Sequence, residues 1–267
     1  MLKLLNSLKR SKYRRFNAKG MKMSKEDRGI LTVRQEAVPG FDQKVIEGLT
    51  ILQIGAGGLG GEICQGLVRK GIRQLKIFDA DTVEPSNLTR QRFFKEDLYK
   101  NKALCLAKNL MKETTRETDI ITYSFMFQKA IEERIDTECD IVICAPDNDQ
   151  TRLFTAKYFL RKTPVIFTGL DRNANTGYVF IQKPEKACFG CAIPNAINNK
   201  RESCPNTPAV IDLVKIMSGL VLFAIDSTVM NRKRNWNYRQ IFLCGYVPEV
   251  IRRVERRKEC PICSTLS

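Results

Sequence analysis

Residues 49–91 read LTILQIGAGGLGGEICQGLVRKGIRQLKIFDADTVEPSNLTRQ. The apolar run from Leu49 to Ile54 ends in Gly55, Gly57, Gly58 and Gly60, after which Ile63, Leu67 and Val68 recur at helical spacing. The order is strand, glycine turn, helix. A second short strand, Leu75 to Phe78, delivers Asp79 at its carboxyl end, 24 residues beyond the first glycine. In a G-x-G-x-x-G crevice an acid near this offset binds ribose hydroxyls. Glycines let the backbone approach phosphate oxygens closely, and the free N–H groups at the start of the helix favour an anion. The stretch predicts a nucleotide crevice. NAD or FAD is the default occupant of such a turn, and a plain tight turn is the alternative.

The rest of the chain bounds that reading. Its 267 residues suffice for one large α/β domain with a substantial core. No apolar run reaches the roughly 18 residues of a membrane span, and Asp212, Lys215 and Asp226 interrupt the nearest candidate, Ile211 to Val229. No secretory h-region stands at the amino terminus. With ten cysteines, that absence predicts a reducing cytoplasm, where paired C-x-x-C motifs hold metal more often than they form disulfides. The chain has no histidine, which excludes Ser-His, Cys-His and His-metal chemistry. The net charge of +16 suits an acidic partner, whether nucleic acid, a membrane surface, ATP or a protein. Charge alone does not choose among them.

After Gln91, apolar residues Leu104, Ala107, Leu110 and Met111 share one face of a predicted helix. Strands over Ile120–Tyr123, Asp140–Cys144 and Val165–Thr168, with a helix near 128–136, continue an alternation that predicts a doubly wound, mostly parallel sheet of Rossmann-like type. The short turn Asn173 to Gly177 makes the next strand, Gly177 to Gln182, an antiparallel extension. An apolar helix from about Pro208 to Val229 follows, and strand Gln240–Leu243 is expected to close the sheet. Residues 1–23, rich in Lys and Arg and free of acid, form a basic arm, mobile or packed, in which Leu2, Leu5 and Leu8 could share a helix side. Residues 24–267 form one domain. Arg252 to Lys258, with five basic residues and one acid, reads as a solvated face or a docking surface for an acidic carrier.

Cys188-Phe-Gly-Cys191 and Cys260-Pro-Ile-Cys263 are two knuckles whose four thiolates fit a closed tetrahedral zinc site; an oxidised pair or free thiols are the alternatives. Cys64, Cys105, Cys139, Cys144 and Cys244 lie among apolar residues and read as core.

Asp79, Asp81, Asn87, Arg90 and Gln91, arranged D-x-D-x-V-x-x-S-N-L-x-R-Q, resemble the signature of the ThiF/MoeB/HesA family, the adenylating relatives of ubiquitin-activating enzymes. Several motifs in the right order carry the resemblance across roughly residues 34–263. It implies that ATP lies on the Gly55–Gly60 turn, that Asp79 accepts from ribose, and that Asn87, Arg90, Gln91 and Lys102 meet the nucleotide. Lys102 lies one residue closer to Arg90-Gln91 than the family pattern, which leaves Lys100 as an alternative. Asp147, in Asp147-Asn148 with Arg152 following, resembles the family's Mg²⁺-binding aspartate; without the family, Asp147-Asn148 is a helix N-cap. Arg34, in a lead-in resembling the family's R-Q…G-F, is implied to reach the ATP of the other subunit of a homodimer. Cys204 stands where some members carry a cysteine that captures the activated carboxylate, and Lys200, Arg201 and a helix start would lower its pKa; it is otherwise a small loop residue.

The implied reaction is attack of the carboxyl-terminal glycine of a small ubiquitin-like carrier, ending in Gly-Gly, on the α-phosphorus of ATP. A terminal carboxylate with a pKa near about 3.5 is already ionised at neutral pH. A chain without histidine can therefore run the step by alignment and charge neutralisation alone. The resemblance favours this over nucleic-acid binding. Modification of a short peptide, as in microcin maturation, a non-catalytic nucleotide-binding scaffold and an NAD-dependent dehydrogenase are the other readings.

Overall fold

Every residue of Thr50–Ile54 is buried, as a strand covered on both faces requires. In the computed structural model, which describes residues 13–17, 25–171, 173–198 and 209–264, this strand lies at the centre of a nine-stranded sheet. The strands are β1 (Tyr13–Asn17), β2 (Thr50–Ile54), β3 (Gln74–Phe78), β4 (Asp119–Tyr123), β5 (Ile141–Cys144), β6 (Val165–Leu170), β7 (Thr176–Gln182), β8 (Tyr238–Phe242) and β9 (Val250–Arg252). Their order is β1-β4-β3-β2-β5-β6-β7-β8-β9. The five strands from β4 to β6 pair in parallel, and β1, β7, β8 and β9 are antiparallel additions at the two edges.

The chain runs from β2 outward through β3 and β4, then returns to β5 on the other side of β2. That reversal opens a crevice beyond the carboxyl ends of β2 and β5, the position where such sheets bind ligands. Four longer helices cover the sheet: α1 (Gly58–Lys70), α2 (Lys102–Leu110), α3 (Asp149–Tyr158) and α4 (Ile211–Val229). Alternate strand residues feed two apolar layers. Ile51, Leu75 and Ile143 join the layer containing Leu67, Leu106 and Val221, whereas Leu52, Phe78 and Val142 join Phe127, Phe159 and the knuckle cysteines. Among the described residues no helix is long and apolar enough to cross a membrane.

The edges differ from the expectation. Gln240–Leu243 does not close the sheet: β8 covers Tyr238–Phe242, and β9, three residues long and mostly exposed, lies outside it. At the other edge part of the basic arm is strand β1, whose Arg15 pairs with Asp119 at 2.7 Å and whose Tyr13 stacks on Tyr123. Neither segment alternates apolar and polar residues over enough length to announce a strand. The helix expected near 128–136 spans only Phe127–Glu132, because Arg134 turns left-handed at φ 54°. Cys244 is exposed in the turn after β8, where Gly245 has a positive φ; Cys64, Cys105 and Cys144 are buried as expected. Leu2, Leu5 and Leu8 lie outside the described residues.

The glycine turn is packed without slack. A Cβ on Gly60 would stand 2.0 Å from the Gly55 carbonyl oxygen, while one on Gly57 would meet nothing within 4 Å. Gly60→Ala is therefore expected to cost at least about 2 kcal/mol in denaturant unfolding, and Gly57→Ala at most about 1 kcal/mol. Equal losses would contradict this packing.

Candidate active site

Gln53, alone among apolar neighbours in β2, is fully buried and braces the turn from beneath. Its amide donates to the carbonyls of Gly55 at 2.8 Å and Ile54 at 3.2 Å. Gly55 itself turns at φ +91°, and a Cβ there would stand 2.8 Å from the Ala145 carbonyl at the end of β5. The two strand ends thus meet through a position only glycine fills.

Above this floor is a cavity of about 1510 Å³ lined by Gly55, Gly57, Gly58, Asp79, Asp81, Asn87, Arg90, Gln91, Lys102 and Asp147, among others. Residues spread over nearly a hundred positions of sequence converge there. Besides the fallback Lys100, two of the described sequence-derived candidates do not line it. Gly60 is packed under the turn, and Arg34, exposed on the short helix Val33–Glu36, does not reach its own chain's cavity. Cys204, with Lys200 and Arg201, lies outside the described residues. Asn198 and Ala209, on either side of the undescribed residues 199–208, both line the cavity.

Asp79 ends β3 with each carboxylate oxygen engaged: Oδ2 accepts from the Ala56 N–H at 2.6 Å and Oδ1 from the Asp81 N–H at 2.8 Å. Burial, assisted by the charge of Asp81, pushes its pKa up to about 6, against the pull of the Ala56 N–H and Lys102. Lys102 Nζ donates to Asp81 Oδ2 at 3.0 Å, so a cation in the first turn of α2 is balanced by a carboxylate of the same cavity. The alternative, Lys100, is exposed and turned away, its ammonium donating to the Glu96 carbonyl at 2.5 Å. Asn101 caps α2 through the Leu104 N–H and ties it to the Asp79 and Asp81 carbonyls at 2.9 and 3.1 Å.

Asn87 is buried and caps the Glu84 N–H at 3.1 Å, and Arg90 Nη1 donates to the Ser86 carbonyl at 2.6 Å. Gln91 lines the cavity, and its Oε1 is buried with no donor among the described residues. At the other wall the two readings of Asp147-Asn148 divide between the residues. Asn148 caps α3 through the Thr151 N–H at 2.8 Å, while Asp147 is exposed to the cavity. Arg152 fixes the loop beneath them, donating to the Pro146 carbonyl at 2.5 Å and to Asp149 at 2.9 Å.

The described lining residues include six carboxylates, Asp79, Asp81, Glu84, Asp147, Asp149 and Asp171, against Arg90, Lys102 and Arg152. Carboxylates thus outnumber cations among the described lining residues, although the chain's net charge is +16. Asp147 could hold a hard cation: it is exposed to the cavity with only the adjacent Asn148 amide, at 3.2 Å, against it among the described residues, whereas Asp81 faces Lys102, Asp149 faces Arg152, and Asp171 accepts from the N–H groups of Asn175 and Thr176. One carboxylate fits Mg²⁺ held together with phosphate oxygens rather than in a protein cage.

Under the far face of the sheet, Cys188, Cys191, Cys260 and Cys263 are buried with their sulfurs within 4.8 Å of one another. Cys188 and Cys191 lie 3.8 Å apart, and the pairs Cys188–Cys260 and Cys191–Cys263 lie 3.4 Å apart. Sulfurs around one tetrahedral zinc are separated by about 3.8 Å. The Arg257 N–H points at Cys191 Sγ, a donor suited to a thiolate. The four can hold one such ion.

The ThiF family profile matches residues 30–262. The chain belongs to the ThiF family. It is 26% identical over 241 residues to the ATP-dependent ubiquitin transferase-like protein Cap2 of Escherichia coli, covering 80% of this chain and 40% of that protein. It is 32% identical over 158 residues to ubiquitin-like modifier-activating enzyme 5 of Culex quinquefasciatus, covering 54% of this chain and 40% of the other. The chain thus spans well under half the length of these relatives. E. coli MccB crystallised with ATP shares the fold at TM-score 0.68, with 18% identity over 84% of this chain and 69% of that one. MccB with selenomethionine MccA superposes at 0.71, with 18% identity over 91% and 76%.

Sequence reasoning missed Gln53, whose signal was a lone amide inside an apolar strand, and Asn101. It also missed that Asp81 pairs with Lys102. If Asp79 accepts from ribose hydroxyls, its carboxylate is the stronger acceptor and the neutral acid the weaker one, so binding is expected to weaken as pH falls through the Asp79 pKa. The Kd of adenosine by calorimetry is expected to rise about tenfold from about pH 7.5 to about pH 5, and to be flat in Asp79→Asn. A wild-type Kd equally flat over that range would exclude this role.

Proposed function

We propose that this chain adenylates the carboxyl-terminal glycine of a small ubiquitin-like carrier ending in Gly-Gly, using ATP. The observation that carries the reading is the convergence of the glycine turn, Asp79, Arg90, Lys102 and Asp147 on one cavity at the sheet's switch point. Each supplies something the reaction needs. The turn and the start of α1 offer backbone N–H groups to phosphate oxygens, Asp79 takes the ribose, and Arg90 and Lys102 neutralise charge as pyrophosphate leaves. Lys102 would exchange Asp81 for phosphate oxygens when the nucleotide enters. Asp147 would hold Mg²⁺, which supplies charge neutralisation at the phosphates. The attacking carboxylate needs no base, in keeping with a chain that lacks histidine.

The acidic balance of the cavity bears on assembly. Among the described lining residues, six carboxylates stand against three cations, so a polyanion entering the cavity gains from further positive charge. Arg34, exposed and away from its own cavity, is suited to supply it across a homodimer. The cavity also exceeds the roughly 300–1,000 Å³ usual for a small-molecule site, leaving room for a chain end beside the nucleotide. Carrier activation is favoured over peptide modification because the sequence relatives are ubiquitin-like modifier-activating proteins, while the likeness to MccB is one of fold. Cys204 would then take the activated acyl group as a thioester, with AMP leaving.

Zinc in the four-cysteine site is assigned a structural role, tying the carboxyl-terminal segment to the sheet. One zinc per chain is expected by atomic emission, and its chelation should lower the melting temperature by on the order of 10 °C. Metal-free protein with an unchanged melting temperature would remove that role.

For the reaction itself, ATP–pyrophosphate exchange should depend on a carrier ending in Gly-Gly and fall by at least about 100-fold in Lys102→Ala. Cys204→Ala should retain exchange and lose a thiol-sensitive adduct. Tight ATP binding without exchange, whatever carrier or peptide is supplied, would count against adenylation. Turnover of a free short peptide as fast as a folded carrier would favour the peptide reading.

A further inference from the structure

Three separate segments bring the phosphate-facing groups to the cavity: the glycine turn leading into α1, the loop carrying Arg90 and Gln91, and the first turn of α2 with Lys102. All three present positive charge or positive dipole ends inward, and how well they meet a polyanion depends on their spacing. Something must hold them at a fixed spacing from behind.

The residue after Arg90-Gln91 turns away. Arg92 does not line the cavity; its Nη1 reaches Glu62 Oε1 of α1 at 3.4 Å, and its Nη2 makes a short bond to Glu113 Oε1, just beyond the end of α2. Glu113 Oε2 accepts in turn from two α1 side chains, Gln65 Nε2 at 2.6 Å and Arg69 at 2.8–2.9 Å. The backbone joins as well: Asn109 of α2 donates to the Arg92 carbonyl at 3.2 Å and to buried Asp97 at 2.8 Å. The three carboxylate and guanidinium side chains at the centre are mostly shielded, with 24% of Arg92, 11% of Glu62 and 16% of Glu113 exposed. Burial works against the charge of Glu113, and the hydrogen bonds from Gln65 and Arg69 with the charge of Arg92 outweigh it, holding its pKa below the usual carboxylate range.

We propose that Arg92 and Glu113 are positioning residues, a clamp behind the cavity that sets the spacing of Arg90, Lys102 and the glycine turn. The inference rests on the adenylation reading for its kinetic consequence and on the hydrogen-bond geometry for the clamp itself. A lysine at position 92 keeps the charge but replaces the rigid guanidinium fork, whose two Nη groups reach different elements, with one shorter-reaching ammonium centre. Glu113→Gln keeps the shape and removes the charge that holds Arg69 and Arg92 together. Neither change alters a cavity-lining side chain, so the nucleotide is expected still to bind, while the alignment of its phosphates loosens. Misplacement on the scale of an ångström is enough to slow such a reaction by about 100-fold.

The test uses Arg92→Lys, Glu113→Gln and the double variant of the full chain, with MgATP binding by calorimetry, ATP–pyrophosphate exchange and amide hydrogen exchange of residues 88–92. The clamp predicts a Kd for MgATP within about threefold of wild type and kcat for exchange lower by at least about tenfold. It also predicts a double variant no slower than the slower single one, because both changes break the same link. Loss of kcat that merely tracks loss of ATP affinity, additive losses in the double variant, or kcat within twofold of wild type would overturn it. Should wild-type protein bind ATP and exchange with no substrate, the adenylation reading fails separately. Hydrogen exchange then decides the clamp, with acceleration at residues 88–92 in Arg92→Lys supporting it and unchanged protection refuting it.

Discussion

The close approach of the turn at Gly55–Gly60 to the ends of β2 and β5 is the constraint on which the rest depends. The Gly55 carbonyl lies where a side chain at position 60 would be, and the Ala145 carbonyl lies where a side chain at position 55 would be. Gln53 satisfies the carbonyls this crowding leaves behind, and Asp79 accepts the Ala56 N–H that the turn exposes. These contacts set how far α1 stands from the sheet, and so where its first N–H groups point. Burying a carboxylate at the same place has a cost, visible in the raised pKa of Asp79. That cost keeps an acceptor of nearly neutral poise at the spot where ribose hydroxyls would lie.

Charge follows a second logic. The chain is strongly basic, yet cations are the minority among the described cavity-lining residues, and each of them is individually held. Lys102 is fixed by Asp81, Arg90 by the Ser86 carbonyl, and Arg152 by Pro146 and Asp149. Their partners are backbone carbonyls and carboxylates at hydrogen-bond distance, which orders them before any ligand arrives. An arrangement of this kind favours a reaction that needs fixed charge rather than a proton carrier.

Much of this was legible in the sequence because its signals are local. The glycine spacing, the strand ending in Asp79 and the two C-x-x-C pairs each announce themselves within a few residues, and the parallel centre of the sheet follows from the alternation of apolar segments. What was not legible depends on contacts between distant segments. β1 is a strand only because Arg15 finds Asp119 and Tyr13 finds Tyr123, and β9 only because β8 lies beside it. The sequence favoured Lys102 and kept Lys100 as a fallback; only the folded chain, with α2 starting after the cap at Asn101, shows Lys102 lining the cavity and Lys100 turned to the Glu96 carbonyl. Arg92 read as one more basic residue, since the carboxylates it joins stand 30 positions before and 21 after it.

The central claim is that the cavity directs an ionised chain end to the α-phosphorus of ATP. It is tested most directly with a substrate whose terminal carboxylate carries a heavy oxygen isotope. After activation and cleavage of the acyl intermediate, the label should appear in AMP, with unlabelled pyrophosphate released. Label in inorganic phosphate beside ADP would mean attack at the γ-phosphorus and would contradict the account.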